Sequence, residues 1–317
     1  MAEDISFIIP AYNDAAGLER HFRYFSDARR PVQLVVVDDG SSDGTEALIA
    51  GADLPAEVEL TYHRMAVNGG PAAARNMGIT LAGRGRAMFL DADDLLTPSF
   101  FAVTDLAPFP PGMDFVLFKH HLSQRADQRF TYEMHPIDRA FFSHAVDGSF
   151  PLKQIRLKDR PKAPATINFP WNKLYRTAFL REAGITFPDL RMHEDITPHW
   201  QSFLRCRTFG VLFWAPPLIT HYEIPDSGRA TQYVGEKRMA AFAELAQVET
   251  ELLTHPDAEL LTPVFREFCR SLFGWMAGGL CAENGAEGQE WRPRYEAAAE
   301  AFWEASAVGQ GNGGDSR

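Results

Sequence analysis

An α/β fold, with a mostly parallel central sheet flanked by helices, is what the first hundred residues predict. Three observations carry that expectation. Short β-branched apolar runs alternate with helical periodicity, each run ends in a polar or glycine-rich turn, and three carboxylates follow directly on the fourth run. Alternation of this kind builds βαβ units with right-handed crossovers.

Residues 5–9 form a short apolar strand closed by Pro10, and residues 15–28 carry Leu18, Phe22 and Phe25 at helical spacing. Residues 32–37 make a second strand, stopped by the run Asp38 to Gly44. Within it, Ser41 to Asp43 supply a cap for a helix from Thr45 to about residue 50. A third strand spans 57–63. Gly69-Gly70-Pro71 is a turn, and Pro71 suits the first turn of a helix reaching Leu81. Residues 86–90 are the fourth strand, apolar enough to be covered on both faces.

Beyond residue 100 the pattern is less regular. Residues 115–119 read as a strand and 120–170 as a variable stretch rich in charge and proline, with a helix over 138–146. Residues 171–182 read as a helix, and 211–214 and 218–222 as short strands split by Pro216-Pro217. From about 233 to 303 the pattern is helical, with breaks near His255-Pro256 and residues 284–288. The expected division is a main domain over 1–231, a helical region over 232–305 and a disordered tail over 306–317.

The 317 residues carry 42 acids against 31 bases, a formal net charge of −11. That balance argues against a nucleic-acid partner, which would show as a basic face. The bases Lys153, Arg156, Lys158, Arg160 and Lys162 make a local patch only. Cys206, Cys269 and Cys281 have neither metal-type nor disulfide-type spacing and read as packing residues. No apolar run reaches the roughly 20 residues of a membrane-spanning helix. The acidic start Met1-Ala-Glu-Asp lacks a signal peptide's basic opening. A cytoplasmic location is therefore expected, with the inner face of the membrane as its variant. The dense apolar face of Phe265, Phe268, Leu272, Phe273, Trp275 and Met276 is expected to pack on the main domain. A homodimer contact or peripheral membrane association are its other uses, the second disfavoured by the lack of a basic polar face.

Asp91, Asp93 and Asp94 fall where the fourth strand ends, and open α/β sheets bind ligands beyond their carboxyl ends. Acids this close repel unless a cation or hydrogen-bond donors offset them. A hard divalent ion, Mn²⁺ or Mg²⁺, carrying the phosphates of a nucleotide fits that donor set. Solvated acids at a helix N-cap are the alternative. The segments 10–14, 38–43, 68–76 and 91–94 share the same sheet edge and would line one crevice. There Tyr12 can stack on a base, Asp39 can accept from a base N–H, and Arg75 can neutralise phosphate. Each also has a plain structural reading, as rim aromatic, turn former and surface-paired arginine. His193-Glu194-Asp195 before Ile196-Thr197-Pro198 reads either as a helix cap or as a catalytic acid pair.

The ordered set SFIIPAYN, VVVDDGSSDGT, NGGPAAARNMG and FLDADD resembles the sugar-nucleotide-binding half of the inverting family-two glycosyltransferases, which have the GT-A fold. The likeness continues through Asn172-Lys-Leu-Tyr-Arg-Thr-Ala-Phe-Leu180, Phe187-Pro188 and His193-Glu-Asp195, and covers residues 5–231. It implies a nucleotide-binding half over 1–100 and an acceptor half over 101–231. It also implies Pro10, Tyr12 and Asn13 beside the nucleoside, Asp39 on the base and Arg75 on base or diphosphate. Asp91 and Asp93 would form the DxD pattern, with Asp93 and Asp94 on the metal and Asp195 as general base. A carboxylate in that place removes the proton from an acceptor hydroxyl, itself a poor nucleophile.

His221 resembles a histidine that some relatives use near the metal. The insertion Ile224-Pro225-Asp226 departs from the pattern and leaves the diphosphate contacts of Ser227, Arg229 and Thr231 open. Trp171, Asn172, Lys173 and Glu194 are expected around the acceptor pocket, Glu194 orienting or capping. The implied function is transfer of a sugar from a nucleoside-diphosphate donor, a UDP-sugar first, to a glycan or lipid-linked acceptor in cell-surface polysaccharide synthesis. A non-catalytic sugar-nucleotide-binding or scaffold protein of the same fold is the alternative. A dehydrogenase or nucleotidyltransferase would place glycines after the first strand, where Pro10-Ala-Tyr-Asn stands instead.

Overall fold

The computed structural model describes residues 4–123, 134–143, 152–222 and 233–311. Strands β1 (Ile5–Ala11), β2 (Val32–Asp38), β3 (Val58–Arg64) and β4 (Arg86–Phe89) run parallel in the order β3-β2-β1-β4. The order reverses between β1 and β4. A crevice opens at such a switch point, outside the carboxyl ends of the two strands.

Every side chain of β2 is buried, as are those of β1 except Pro10. The alternation along β1 divides two cores. Ile8 faces helix α3 (Gly70–Leu81), while Phe7 and Ile9 pack on the side of helix α1 (Ala15–Phe25). Helix α3 lies close against the sheet because Gly78 has no side chain. A Cβ there would sit 2.2 Å from Ile8 Cγ2. Asp43 ties two helix starts together. Its Oδ1 accepts from Thr45 N at the head of α2 (Thr45–Ala50), and its Oδ2 accepts from Ala15 N.

Further strands are β5 (Leu95–Leu96), β6 (Phe115–Leu117), β7 (His120–Ser123), β8 (Lys173–Arg176), β9 (Phe209–Val211) and β10 (Ile219–Tyr222). The main sheet continues from β4 through β8 and β6 to β9, with β8 antiparallel to both its neighbours. The remainder form a small sheet, β5-β10-β7. The helix expected over 171–182 is thus a strand first. Residues 173–176 fill the gap between β4 and β6, and ladder pairing outweighs their helical periodicity. Only Thr177–Glu182 is helix, α6. Helix α4 (Phe100–Leu106) covers the α1 side, and α5 (Pro136–Ser143) occupies most of the helix expected over 138–146. Residues 144–146 lie outside the described residues.

The C-terminal part holds α7 (Ile196–Arg205), α8 (Ala240–Leu253) and α9 (Ala258–Gly274). A π-helical segment, Trp275–Leu280, then leads into α10 (Cys281–Glu283) and α11 (Gly285–Gly311). The breaks fall at the expected places. Helix α11 runs to Gly311, into the stretch 306–317 expected to be disordered. Trp200 of α7 meets the rings of Phe265 and Phe268 edge-on, at 5.0 and 5.5 Å. These belong to one core with Ile8 and Val35, so the C-terminal helices are continuous with the sheet's packing. No helix among the described residues is long and apolar enough to cross a membrane.

Candidate active site

The chain leaves β4 and turns at once. Asp94 N donates to Asp91 O at 3.1 Å, and this tight turn gathers three carboxylates. One oxygen from each of Asp91, Asp93 and Asp94 lies within 4.8 Å of the others. This all-oxygen set matches what a hard divalent ion requires. His21 on α1 braces the turn. Burial lowers its pKa to about 4, so the neutral ring donates from Nε2 to Asp91 O at 3.1 Å.

Asp94 is fully buried, and that burial raises its pKa against the pull of His221. His221 Nδ1 lies 2.8 Å from Asp94 Oδ1 and 3.0 Å from Oδ2. The pairing of β10 with β5 delivers the histidine to that point. Its ring packs at 4.9 Å from Phe169 and 5.0 Å from Trp171. The structure therefore places His221 on the carboxylate cluster by way of Asp94.

Arg75, on α3, joins the two ends of the crevice. Its Nη2 donates to Asp91 Oδ1 at 2.8 Å, its Nη1 donates to Glu194 Oε1 at 2.7 Å, and Phe187 packs beneath it. Burial works against its charge, but the two carboxylates outweigh it and push the pKa up. Asp195 follows directly, at the N-cap of α7, where its side chain makes no cap bond. Its pKa is pushed up to about 7, first by burial, then by repulsion from Glu194; Arg75 and a hydrogen bond from the Asn168 side chain oppose the rise. A carboxylate with a pKa near 7 is matched to proton abstraction near neutral pH.

On the nucleoside side, Tyr12 is 55% exposed, a ring free to stack at the rim. Asn13 sits at φ 51°, and its Oδ1 accepts from Ser42 N while its own N donates to Ser41 Oγ. It fastens the loop after β1 to the loop after β2, next to Pro10. Asp39 is buried, and its two oxygens accept from Gly69 N and Gly70 N, both at 2.7 Å. Each oxygen keeps a second acceptor lone pair. Gly70 takes φ 85°, so the amides at the start of α3 can turn toward Asp39. Asp38 has a structural role, accepting from Ser41 N, Tyr62 Oη and Arg64 Nη1.

Trp171 and Asn172 correct an expectation. Both are 0% exposed and cannot line an acceptor pocket. Trp171 backs His221 and His120, while Asn172 Nδ2 donates to Ile167 O and its Oδ1 accepts from Lys173 Nζ. Lys173 is also wholly buried, its pKa lowered to about 7 by desolvation while Asp138 and Asp195 hold it up. Helical spacing over 171–182 hid this arrangement; a lysine amid Trp171, Leu174 and Tyr175 was the available signal. Nothing local in the sequence marks Asn168, His21 or Asp138, because no short pattern separates a polar anchor inside the fold from a surface residue. Residues Ser227, Arg229 and Thr231 lie outside the described residues.

Known proteins resemble this chain in two ways. Over 97 residues, 30% of this chain, it is 39% identical to the succinoglycan biosynthesis protein ExoO of Rhizobium meliloti, matching 27% of that protein. Over 91 residues, 28% of this chain, it is 35% identical to a pre-mycofactocin glycosyltransferase of Mycobacterium tuberculosis, matching 18% of it. The chain spans between 15% and 37% of the length of the curated relatives it matches.

Among solved structures, S. aureus TarS 1–349 in complex with UDP-GlcNAc superposes with a TM-score of 0.70 at 19% identity, covering 94% of this chain and 80% of that one. The Pyrobaculum calidifontis mannosyltransferase PcManGT, in complex with GDP-Man and Mn²⁺, gives 0.53 at 17% identity, covering 95% and 87%. At these identities the likeness establishes the fold, which is of the expected GT-A type. Residues 6–184, more than half of the chain, match Glycosyl transferase family 2, and the chain belongs to that family.

Proposed function

We propose that this chain is a metal-dependent, inverting glycosyltransferase that moves a sugar from a nucleoside-diphosphate donor to a hydroxyl of a glycan or glycolipid. A UDP-sugar is the favoured donor and cell-surface polysaccharide synthesis the favoured setting. One observation carries the reading: Arg75 bonds both Asp91 and Glu194, so the carboxylate cluster and the Glu194-Asp195 pair face one cavity edge. In support, TarS is seen with UDP-GlcNAc, PcManGT with GDP-Man and Mn²⁺, and ExoO takes its name from succinoglycan biosynthesis.

In this reading Asp195 takes the proton of the acceptor hydroxyl as its oxygen attacks C1 of the sugar. The bond from C1 to the diphosphate oxygen breaks on the opposite face, which inverts the anomeric centre. Asp91, Asp93 and Asp94 would hold Mn²⁺ or Mg²⁺, whose charge would offset that of the departing diphosphate. Arg75 keeps Asp91 and Glu194 in place, and Glu194 raises the basicity of its neighbour. Tyr12 stacks on the base and Asp39 accepts from its edge, with Pro10 and Asn13 shaping the rim.

The test is a panel of UDP- and GDP-sugars with Mn²⁺ or Mg²⁺, read as nucleoside-diphosphate release. Turnover that disappears in Asp195→Asn is expected. Absence of both binding and turnover across the panel would overturn the proposal, and binding without turnover would favour the scaffold alternative.

A further inference from the structure

Asp195 stands on a short segment whose backbone is unusual. His193 takes φ 63°, a left-handed conformation that is strained for a non-glycine residue and persists only where its surroundings hold it. Those surroundings come from the C-terminal helical region. A 3₁₀ turn, Glu236–Met239, leads directly into α8. Arg238 in that turn is buried, donates from Nε to Tyr233 O and lies 4.9 Å over the Trp275 ring. From there its Nη1 bonds His193 Nε2 at 3.1 Å. Desolvation lowers the pKa of His193 to about 3, so the neutral ring accepts from the guanidinium.

The other side of Asp195 is held in a similar way. Thr197, in the first turn of α7, donates from Oγ1 to Glu244 Oε2 at 2.5 Å, and both side chains are buried. Farther along α7, Arg205 forms a two-pronged pair with Glu251 of α8, at 2.6 and 2.8 Å. Packing α8 on α7 requires apolar contact only, and Leu245, Val248 and Leu252 supply it. A buried arginine and a buried glutamate, aimed two residues before and two residues after Asp195, exceed that requirement. Burying such groups is costly unless each finds its partner.

We propose that Arg238 and Glu244 are positioning residues for the general base: the C-terminal helices clamp the chain on both sides of Asp195 and fix where its carboxylate points. This rests on the reading of Asp195 as the base. A displacement of about 1 Å in such a group is enough to cost about 100-fold in rate. The C-terminal region is then part of the catalytic apparatus although none of its described residues reaches the crevice by a hydrogen bond of its own to Asp195.

The experiment uses the full chain and the donor that wild type turns over. Arg238→Met, Glu244→Met and Thr197→Val are compared with Asp195→Asn, with Gln247→Ala on the exposed face of α8 as control. Thr197→Val is nearly isosteric and keeps the test valid should the buried-charge variants fold poorly. The expected result is a fall of about 10- to 100-fold in kcat, with KM for the donor and Kd for the released nucleoside diphosphate changed less than about twofold. Hydrogen exchange should quicken over 193–197 and stay unchanged over 86–94, and Arg238→Lys should recover part of kcat. Unchanged kcat in Thr197→Val would overturn the proposal, and so would loss of nucleotide affinity in step with kcat. If Asp195→Asn stays active, the assignment of the base has failed; if it is inactive while Thr197→Val is not, only the clamp has failed.

Discussion

Arg75 and Glu194, 119 residues apart in the chain, are joined by a 2.7 Å hydrogen bond, and both are nearly buried. The same guanidinium holds Asp91 at 2.8 Å. One arginine thus sets the spacing between the carboxylate cluster after β4 and the acid pair before α7. Its reach follows from where its partners lie: Asp91 follows β4 and Glu194 precedes α7.

Replacing Arg75 by methionine leaves two carboxylates facing each other in a poorly hydrated site. Removing one partner of a buried pair typically costs about 3–5 kcal/mol. Urea unfolding of Arg75→Met should show a loss in that range. Arg75→Lys should recover only part of it, because an ammonium cannot span both acids as the planar fork does. A loss below about 1 kcal/mol would mean that the two acid-bearing segments are held together by apolar packing alone.

The pH dependence has opposite signs for activity and stability. Asp195 has its pKa pushed up to about 7 by burial and by Glu194, and only its ionised form can accept a proton. Below that value kcat should rise about tenfold per pH unit, and above it level off. For stability, the folded pKa lies above the ordinary 3.8, so the folded state holds the proton more tightly. The stabilising contribution is full below 3.8 and lost as pH rises through 7. Asp195→Asn should therefore be inactive yet more heat-stable than wild type at pH 8, measured by thermal unfolding. A variant less stable at pH 8 than wild type would refute the buried-carboxylate argument.

The sheet's first half was legible because apolar runs and turn chemistry act locally. Pro10 closes β1, Pro71 opens α3, and the acids after β4 mark the ligand edge. The second half was not, and β8 shows why. Residues 173–176 carry a helical spacing, but their place between β4 and β6 is decided by partners far away in sequence. The site divides along the same line. Asp91, Asp93, Asp94, Arg75 and Asp195 stand in recognisable motifs, and the geometry gathers them. Trp171 and Asn172 also stand in a motif, but motif membership does not distinguish a wall of the pocket from the layer behind it. Lys173, Arg238 and Glu244 act through burial, and Asn168 through its bond to Asp195, which only the folded chain reveals.

Gly78 gives a test of how closely α3 must approach the sheet. A Cβ at that position would lie 2.2 Å from Ile8 Cγ2, an overlap that a shift of the helix or of the stiff, β-branched Ile8 side chain must relieve. Gly78→Ala should destabilise by about 1–3 kcal/mol, although alanine is the better helix former. Because Arg75 sits one turn earlier on the same helix, the shift should also weaken nucleotide binding. A Gly78→Ala protein as stable as wild type would show that the helix rides higher on the sheet than these contacts require.

His221 decides between two ways of supporting a cation. Its Nδ1 points at both oxygens of Asp94, and Phe169 and Trp171 hold the ring there. A histidine in that position orients a liganding carboxylate, and loss of such support usually lowers metal affinity by about 10- to 100-fold. His221→Ala should weaken Mn²⁺ binding by that factor in a calorimetric titration, and Asp93→Asn by at least as much. Affinity alone does not separate support from direct ligation, but pulsed electron paramagnetic resonance does. If His221 acts through Asp94, Mn²⁺ bound to the wild-type protein should show no strong ¹⁴N coupling. A strong coupling that vanishes in His221→Ala would place imidazole nitrogen directly on the ion.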